Sequence, residues 1–323
     1  MKKGLLVALG LGAALAVVAC GDDTNNNNNN TTSSSAGSGG TGGTGGAGGM
    51  GGGGNGGTGG SSALEVQSHL SPDGFAVDSH LIVGETEVVL VDGQFFSAEA
   101  QKVVDLVKAT NKKLSTVFLT HAHPDHYVGM EVIRAAFPEA KFVTTAAVLA
   151  DYNAKKDGTL AALKMNFGDA IPDTVVTFEA LAGSTITVDG HTLDVVEIAD
   201  AGESVDAAGL AIKDQKAFFA GDLVYSKTHL WLAECQFDGW IKNLDAIAAM
   251  GYETYYPGHG PTATAAVIEE DKKYITDAKP ILDAAATVDE AVAQLKAAYP
   301  TWLGGDGLLP FGTSNYFMTC KMP

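Results

Sequence analysis

Thr120-His121-Ala122-His123-Pro124-Asp125-His126-Tyr127-Val128-Gly129 places three of the chain's eight histidines within six residues, beside a carboxylate. Imidazole and carboxylate are donors for zinc, iron or manganese, and neutral imidazole is the commonest metal ligand in proteins. The stretch follows an apolar run at 115–120 and precedes a helical pattern at 127–137 that Pro138 closes. It therefore reads as a loop at a strand's C-terminal end, from which alternate side chains turn toward one cleft. His121, His123, Asp125 and His126 are its candidate ligands.

Outward from this loop, residues 81–84 and 87–92 read as a hairpin of β-branched strands, and Ser97 opens an amphipathic helix to about Thr110. A strand at 141–144 and a helix at 145–156 follow. Further strand-like runs occupy 174–179, 184–188, 191–198, 208–213 and 216–220. A helix at 238–250, a strand at 253–256 and helical C-terminal material complete the pattern. Strands interleaved with helices, then a meander, then helices again suit a mixed-sheet α/β sandwich better than a regular doubly wound sheet.

Residues 64–275 resemble the metallo-β-lactamase superfamily in four ordered places. His121, His123, Asp125 and His126 match its H-x-H-x-D-H motif. The segment from His80 to Asp92 is similar to its opening hairpin, which ends in aspartate. Phe218-Phe219-Ala220-Gly221-Asp222 resembles the strand whose aspartate bridges two metals, and Tyr256-Pro257-Gly258-His259-Gly260 resembles the late turn carrying the last histidine ligand. The resemblance implies an α/β (α+β) fold, an αββα sandwich of two mixed β-sheets with outer helices and metals at one edge. Residues 63–275 would form that domain, with 276–323 a helical extension packed on it.

The resemblance also implies the ligand sets. Asp125, His126 and His259 would hold one metal, with Asp222 as the bridge. The other would take His121, His123 and a third histidine from an earlier turn. The corresponding turn here is Asp200-Ala201-Gly202-Glu203-Ser204, nineteen residues before Asp222 if counted from Glu203, and its ligand position reads glutamate. Glu203 is the favoured ligand, giving a two-histidine, one-carboxylate set that suits iron or manganese as well as zinc. Loss of the first metal, or substitution by His229, are the alternatives. His191 begins a strand that ends near Ala199, about 26 Å from the turn at strand rise, and is too far. Asp92 reads either as an acceptor orienting a ligand imidazole or as a strand-end turn residue.

Two divalent metal ions, zinc foremost, sharing a hydroxide would provide a nucleophile at neutral pH. The expected function is therefore a hydrolase cleaving an ester, lactone, amide or thioester bond of a small-molecule substrate. Asp125 would also relay a proton. Tyr225 would donate to a substrate oxygen, as in lactone-hydrolysing members, or simply pack. The alternatives are an iron-dependent oxidoreductase of the same fold and a non-catalytic metal-binding module with a degenerate first site. The loop at 228–232, Glu234 and Trp240 read equally as pocket lining or as core.

The N-terminal fifth of the chain differs in kind. Met1-Lys2-Lys3, an apolar run at 5–18 and Val17-Val18-Ala19-Cys20 have the layout of a signal peptide at 1–19 followed by a lipidated cysteine. Residues 20–62 hold six consecutive asparagines, and seventeen of the forty glycines fall at 37–60. They read as a disordered tether reaching roughly 35 Å from a membrane. The expected place is the bacterial cell envelope, on the extracytoplasmic side. Cys235 and Cys320 would there form a disulfide or remain two buried thiols. The net charge is −18, from 20 basic and 38 acidic residues, which argues against nucleic acid as a partner.

Overall fold

The computed structural model describes residues 63–321. The expected signal peptide, lipidated Cys20 and tether lie outside the described residues. Within them, twelve strands form two six-stranded sheets. The first sheet runs in chain order: β1 (Glu65–Leu70), β2 (Asp78–Val83), β3 (Glu87–Val91), β4 (Lys113–Phe118), β5 (Lys141–Thr144) and β6 (Glu179–Ala180). Its first three strands pair antiparallel and the rest parallel. The second sheet comprises β7 (Thr185–Val188), β8 (His191–Glu197), β9 (Ala208–Ile212), β10 (Ala217–Tyr225), β11 (Thr254–His259) and β12 (Ala263–Thr264), again neighbours in chain order. Only β10 and β11 pair parallel there.

Alternation along the strands builds the layers. Ile82, Val89, Val91 and Phe118 face Ile186, Leu193, Leu210 and Phe219 across the sandwich. Their sequence neighbours Leu81, Leu90 and Val117 face outward onto Val103, Val104, Val107 and Ile133. Adjacent residues of one strand thus serve two cores, as the two-residue period of a pleated strand requires. The outer helices on that side are α1 (Ser97–Ala109), α2 (Pro124–Tyr127), α3 (Met130–Ala136) and α4 (Ala146–Phe167). On the other side α5 (Phe237–Ala249), α6 (Ala266–Ala284), α7 (Val288–Ala298) and α8 (Leu308–Tyr316) cover Phe218, Val224 and Tyr255. The result is the αββα sandwich.

Several expectations shift. The boundary placed at residue 275 falls inside α6, because the apolar stripe Tyr274, Ile275, Ala278 and Leu282 continues without a break. Leu295, Leu308 and Leu309 then share one core with β10 and β11, so the C-terminal helices complete the sandwich. The helix expected to stop at Lys156 runs on to Phe167, held by buried Ala162 and Leu163. The strand expected at 174–179 shrinks to Glu179–Ala180. Strand β10 extends to Tyr225, all nine of its residues being buried. Cys235 and Cys320 form a disulfide across 85 residues. Among the described residues, no helix is long and apolar enough to cross a membrane.

Candidate metal centre

The centre forms where strand ends of both sheets meet. His121, His123, Asp125 and His126 come from the β4–α3 connection, Asp222 from β10 and His259 from the end of β11. Glu203 comes from the β8–β9 loop. That loop is clasped by α5, where Asn243 Nδ2 donates to the Asp200 carbonyl and Asn243 Oδ1 accepts from the Asp200 amide. The Gly202 backbone packs so closely on Trp240 that a β-carbon would sit 2.9 Å from its Cα.

Each imidazole is fixed by a partner on one nitrogen. The Thr120 hydroxyl donates to Asp92 at 2.7 Å, so it accepts the proton of His121 Nδ1 at 2.9 Å. His126 Nδ1 donates to Asp92 Oδ2 at 3.1 Å, and His259 Nδ1 donates to the Phe75 carbonyl at 2.7 Å. These bonds settle the tautomer and aim the Nε2 lone pair of all three rings into the centre. Asp92 is therefore an orienting acceptor, held in the left-handed region at φ 58° and also capping the Thr120 amide.

Donor atoms converge into adjoining groups. Asp92, His121 and His126 form one, in which Asp92 orients His126 and whose two rings also belong to the other two. Of those two, His121, His123, Glu203 and Asp222 form the first; Asp125, His126 and His259 form the second. In the first, Glu203 lies 2.9 Å from His123 Nδ1 and 3.7 Å from His121 Nε2, and Asp222 Oδ2 lies 3.7 Å from His121 Nε2. In the second, His259 Nε2 lies 3.3 Å from Asp125, and His126 Nε2 lies 3.8 Å from it. Asp222 reaches both, with its oxygens 3.0 Å from His126 Nε2 and 3.1 Å from His259 Nε2. Two ligands each about 2.1 Å from a tetrahedral ion stand about 3.4 Å apart, so these separations fit a divalent cation.

A second observation agrees. Among the described residues, His121 Nε2, His126 Nε2, His259 Nε2, Glu203 Oε2 and Asp222 Oδ1 are buried with no hydrogen-bond partner. One such atom costs about 1–3 kcal/mol, and five together would be costly unless a shared cation satisfies them. These residues fit a metal.

The buried carboxylates favour positive charge in the centre. Burial lowers His121 well below the ordinary histidine value, helped by neighbouring His126. Burial also opposes the charge on His259, but Asp222 and Asp125 overcome it and raise that ring to about 10. Asp125 would be pushed up by burial, yet His126 and His259 hold it at about 2. Burial lifts Glu203 to about 7 against the pull of His123, with Asp222 and Glu234 adding to the rise. A group of buried carboxylates that raises its histidines offers the same field to a divalent ion, with twice the charge.

A profile of the Metallo-beta-lactamase superfamily matches residues 72–259. The chain belongs to that superfamily. Its buried histidine and carboxylate groups lie close enough together to hold metal ions. The fold is similar to a metallo-beta-lactamase family protein of Thermus thermophilus, with a TM-score of 0.55, 20% identity and 79% and 93% of the two chains covered. It is also similar to the B3 metallo-beta-lactamase BLEG-1, with a TM-score of 0.53, 16% identity and coverage of 66% and 100%. A curated relative, the atrochrysone carboxyl ACP thioesterase of Aspergillus fumigatus, is 25% identical over 184 residues. That match takes in 57% of this chain and 50% of the relative, so the chain spans half of the thioesterase's length.

The structure brings all seven candidate ligands together. His229 lies elsewhere: its Nδ1 meets the Tyr274 hydroxyl at 2.8 Å, and it joins none of the donor groups. Tyr225 is buried, and its hydroxyl donates to Asp222 at 2.6 Å while its ring stacks on His259 at 4.8 Å. Its proton is thus committed to the Asp222 carboxylate. Sequence reasoning assigned no role to His80, whose Nε2 donates to the Pro257 carbonyl at 2.8 Å and pins the turn before His259. Its Nδ1 accepts from Ser68 at 2.7 Å. A lone histidine in an apolar strand was the available signal.

Asp271, on α6, was also missed. Its Oδ2 accepts the Tyr225 amide at 2.9 Å and its Oδ1 has no partner among the described residues. Burial holds the carboxyl well above its usual range. The folded state keeps Asp271 neutral where the unfolded chain ionises it. Its contribution to stability is therefore complete below about pH 4 and lost as pH rises through the folded-state value. Asp271→Asn, neutral at every pH, is expected to melt higher than the parent at about pH 7.5 and to lose that advantage near pH 4. A melting difference independent of pH would contradict this assignment.

Proposed function

We propose that this protein is a dinuclear metal-dependent hydrolase that cleaves an ester, lactone, amide or thioester bond of a small molecule. We place it outside the cytoplasm of a bacterial cell, tethered to the membrane through a lipidated Cys20. The main support is the set of five buried donor atoms without hydrogen-bond partners among the described residues, which a shared cation would satisfy. The likeness to a fungal thioesterase leans the substrate class toward thioesters and esters.

His121, His123 and Glu203 would hold one ion, Asp125, His126 and His259 the other, and Asp222 both. Divalent ions there supply Lewis acidity and lower the pKa of a bound water toward neutrality. The protein's own groups do the rest. Asp125 is ionised at neutral pH and 14% exposed, so it can accept a proton on the open side. His123, 16% exposed, lies on that side too, with the Trp231 ring 6.0 Å away. Substrate therefore approaches past His123, Asp125 and Trp231. Asp222 is kept in place by the Tyr225 hydroxyl, which gives Tyr225 an orienting role.

Elemental analysis with a panel of esters, lactones, thioesters and β-lactams tests the proposal. Two zinc equivalents with turnover on an acyl substrate are expected. Glu203 favours one competing class, an iron-dependent oxidoreductase, because two histidines and a carboxylate suit iron. One iron with oxygen uptake and no hydrolysis would select it. Glu203→Gln is expected to weaken one zinc equivalent more than the other. An unchanged zinc stoichiometry and affinity would remove Glu203 from the centre.

A further inference from the structure

We propose that Glu234 is a positioning residue for the first half of the metal centre, acting through the outer nitrogen of His123. We infer further that the Cys235–Cys320 disulfide is the staple that holds it there. The assignment rests on the dinuclear hydrolase proposed above.

His123 differs from the other three histidines in which nitrogen faces inward. Its Nδ1 points to Glu203 at 2.9 Å, inside the donor group, so its Nε2 points outward and meets Glu234 Oε1 at 3.4 Å. A ring that ligates through Nδ1 carries its proton on Nε2. A carboxylate accepting that proton fixes the tautomer, orients the ring and makes the inner nitrogen a better donor. The other rings receive the same service from Thr120 and Asp92, just past the ends of β4 and β3, and from the Phe75 carbonyl in the turn before β2. Thr120 and Asp92 are buried, whereas Glu234 is 32% exposed, open to competing water.

That loop, residues 226–236, contains neither strand nor helix and owes its place to the C-terminal segment. The Leu303 amide donates to the Lys227 carbonyl, and the His229 amide donates to the Leu303 carbonyl. At the other end, Thr319 Oγ1 donates to the Ala233 carbonyl at 2.9 Å. Cys235, next to Glu234, is bonded to Cys320 and adopts φ 64°, a left-handed conformation uncommon for a non-glycine residue. The crosslink lies one residue from the carboxylate. Without it, Glu234 depends on an exposed loop keeping an unfavourable backbone turn.

Zinc titration against a chromogenic chelator, with melting temperature measured in parallel, tests both parts. For Glu234→Ala, one of the two zinc equivalents is expected to bind about 10–100-fold more weakly while the other is unchanged. Glu234→Gln, which keeps an acceptor oxygen, should recover part of that loss. The double variant Cys235→Ser, Cys320→Ser should weaken the same equivalent while remaining folded at the assay temperature. Wild-type affinity for both equivalents in Glu234→Ala, or equal weakening of both, would overturn the positioning role. Unchanged zinc affinity in the serine pair would overturn the staple. A parent protein that binds only one equivalent would overturn the dinuclear reading and this assignment together, an outcome distinct from the others.

Discussion

Asp222→Ala is expected to lower hydrolytic turnover by at least about 10³-fold and to leave less than one tightly held zinc equivalent. One carboxylate serves both halves of the centre. Its oxygens lie 3.0 Å from His126, 3.1 Å from His259 and 3.7 Å from His121. Removing it withdraws a donor from each ion and also strands the Tyr225 hydroxyl, which now donates to it at 2.6 Å. Asp222→Asn keeps the shape and removes the charge, so it separates loss of ligation from loss of packing. Elemental analysis and turnover on the best substrate of the panel provide the measurement. Two retained zinc equivalents with near-parental turnover in the alanine variant would end the bridging assignment.

Gly258→Ala should be as damaging for a different reason. A β-carbon at this position would lie 1.8 Å from Asp222 Oδ1, 2.8 Å from the Gly221 carbonyl carbon and 2.9 Å from the Asp222 amide nitrogen. Two of those atoms are backbone of β10, so the added methyl must push β10 and β11 apart or displace the bridging carboxylate. Overpacking of this kind costs about 1–3 kcal/mol, and the displacement falls on the metal ligands themselves. The expected result is a lower melting temperature together with loss of zinc. Gly158→Ala is the control: it sits inside α4 with nothing within 4 Å of the new methyl and should stabilise by about 0.5–1 kcal/mol. Normal zinc binding in Gly258→Ala would show that β11 has more room than the structure gives it.

The ligands were legible because most of them are crowded into short segments whose spacing carries the chemistry. His121 to His126 are neighbours, Asp222 follows Gly221 within an apolar strand, and His259 ends an apolar strand between two glycines. The sandwich was legible too. Leu81/Ile82, Val117/Phe118 and Phe218/Phe219 each send adjacent side chains to opposite faces, and such runs between turn residues read as buried strands. Helix α4 was underestimated because Asp157 and Gly158 look like a stop, whereas burial of Ala162 and Leu163 carries the helix past them. Local preference was overruled there by packing.

What stayed hidden or open was which orienting and covalent contacts form across long chain separations. His80 grips the Pro257 carbonyl 177 residues away, His259 donates to the Phe75 carbonyl 184 residues away, and the disulfide joins positions 85 apart. No periodicity or spacing encodes which carbonyl a histidine will meet, because the partner is chosen by how two sheets stack. From sequence, Glu203 was the favoured ligand at a position where the family has histidine, with loss of the first metal or substitution by His229 as the alternatives. The structure shows it buried, 2.9 Å from His123 and with one oxygen unpartnered. The amino-acid order alone determined the family, the layer pattern and the donor types, since these depend on local residue chemistry and strand period. Tertiary structure decided which nitrogen of each imidazole faces the centre, that Asp92 orients His126, and that Glu234 stands behind His123. Those depend on distances between segments that only the packed sandwich brings together.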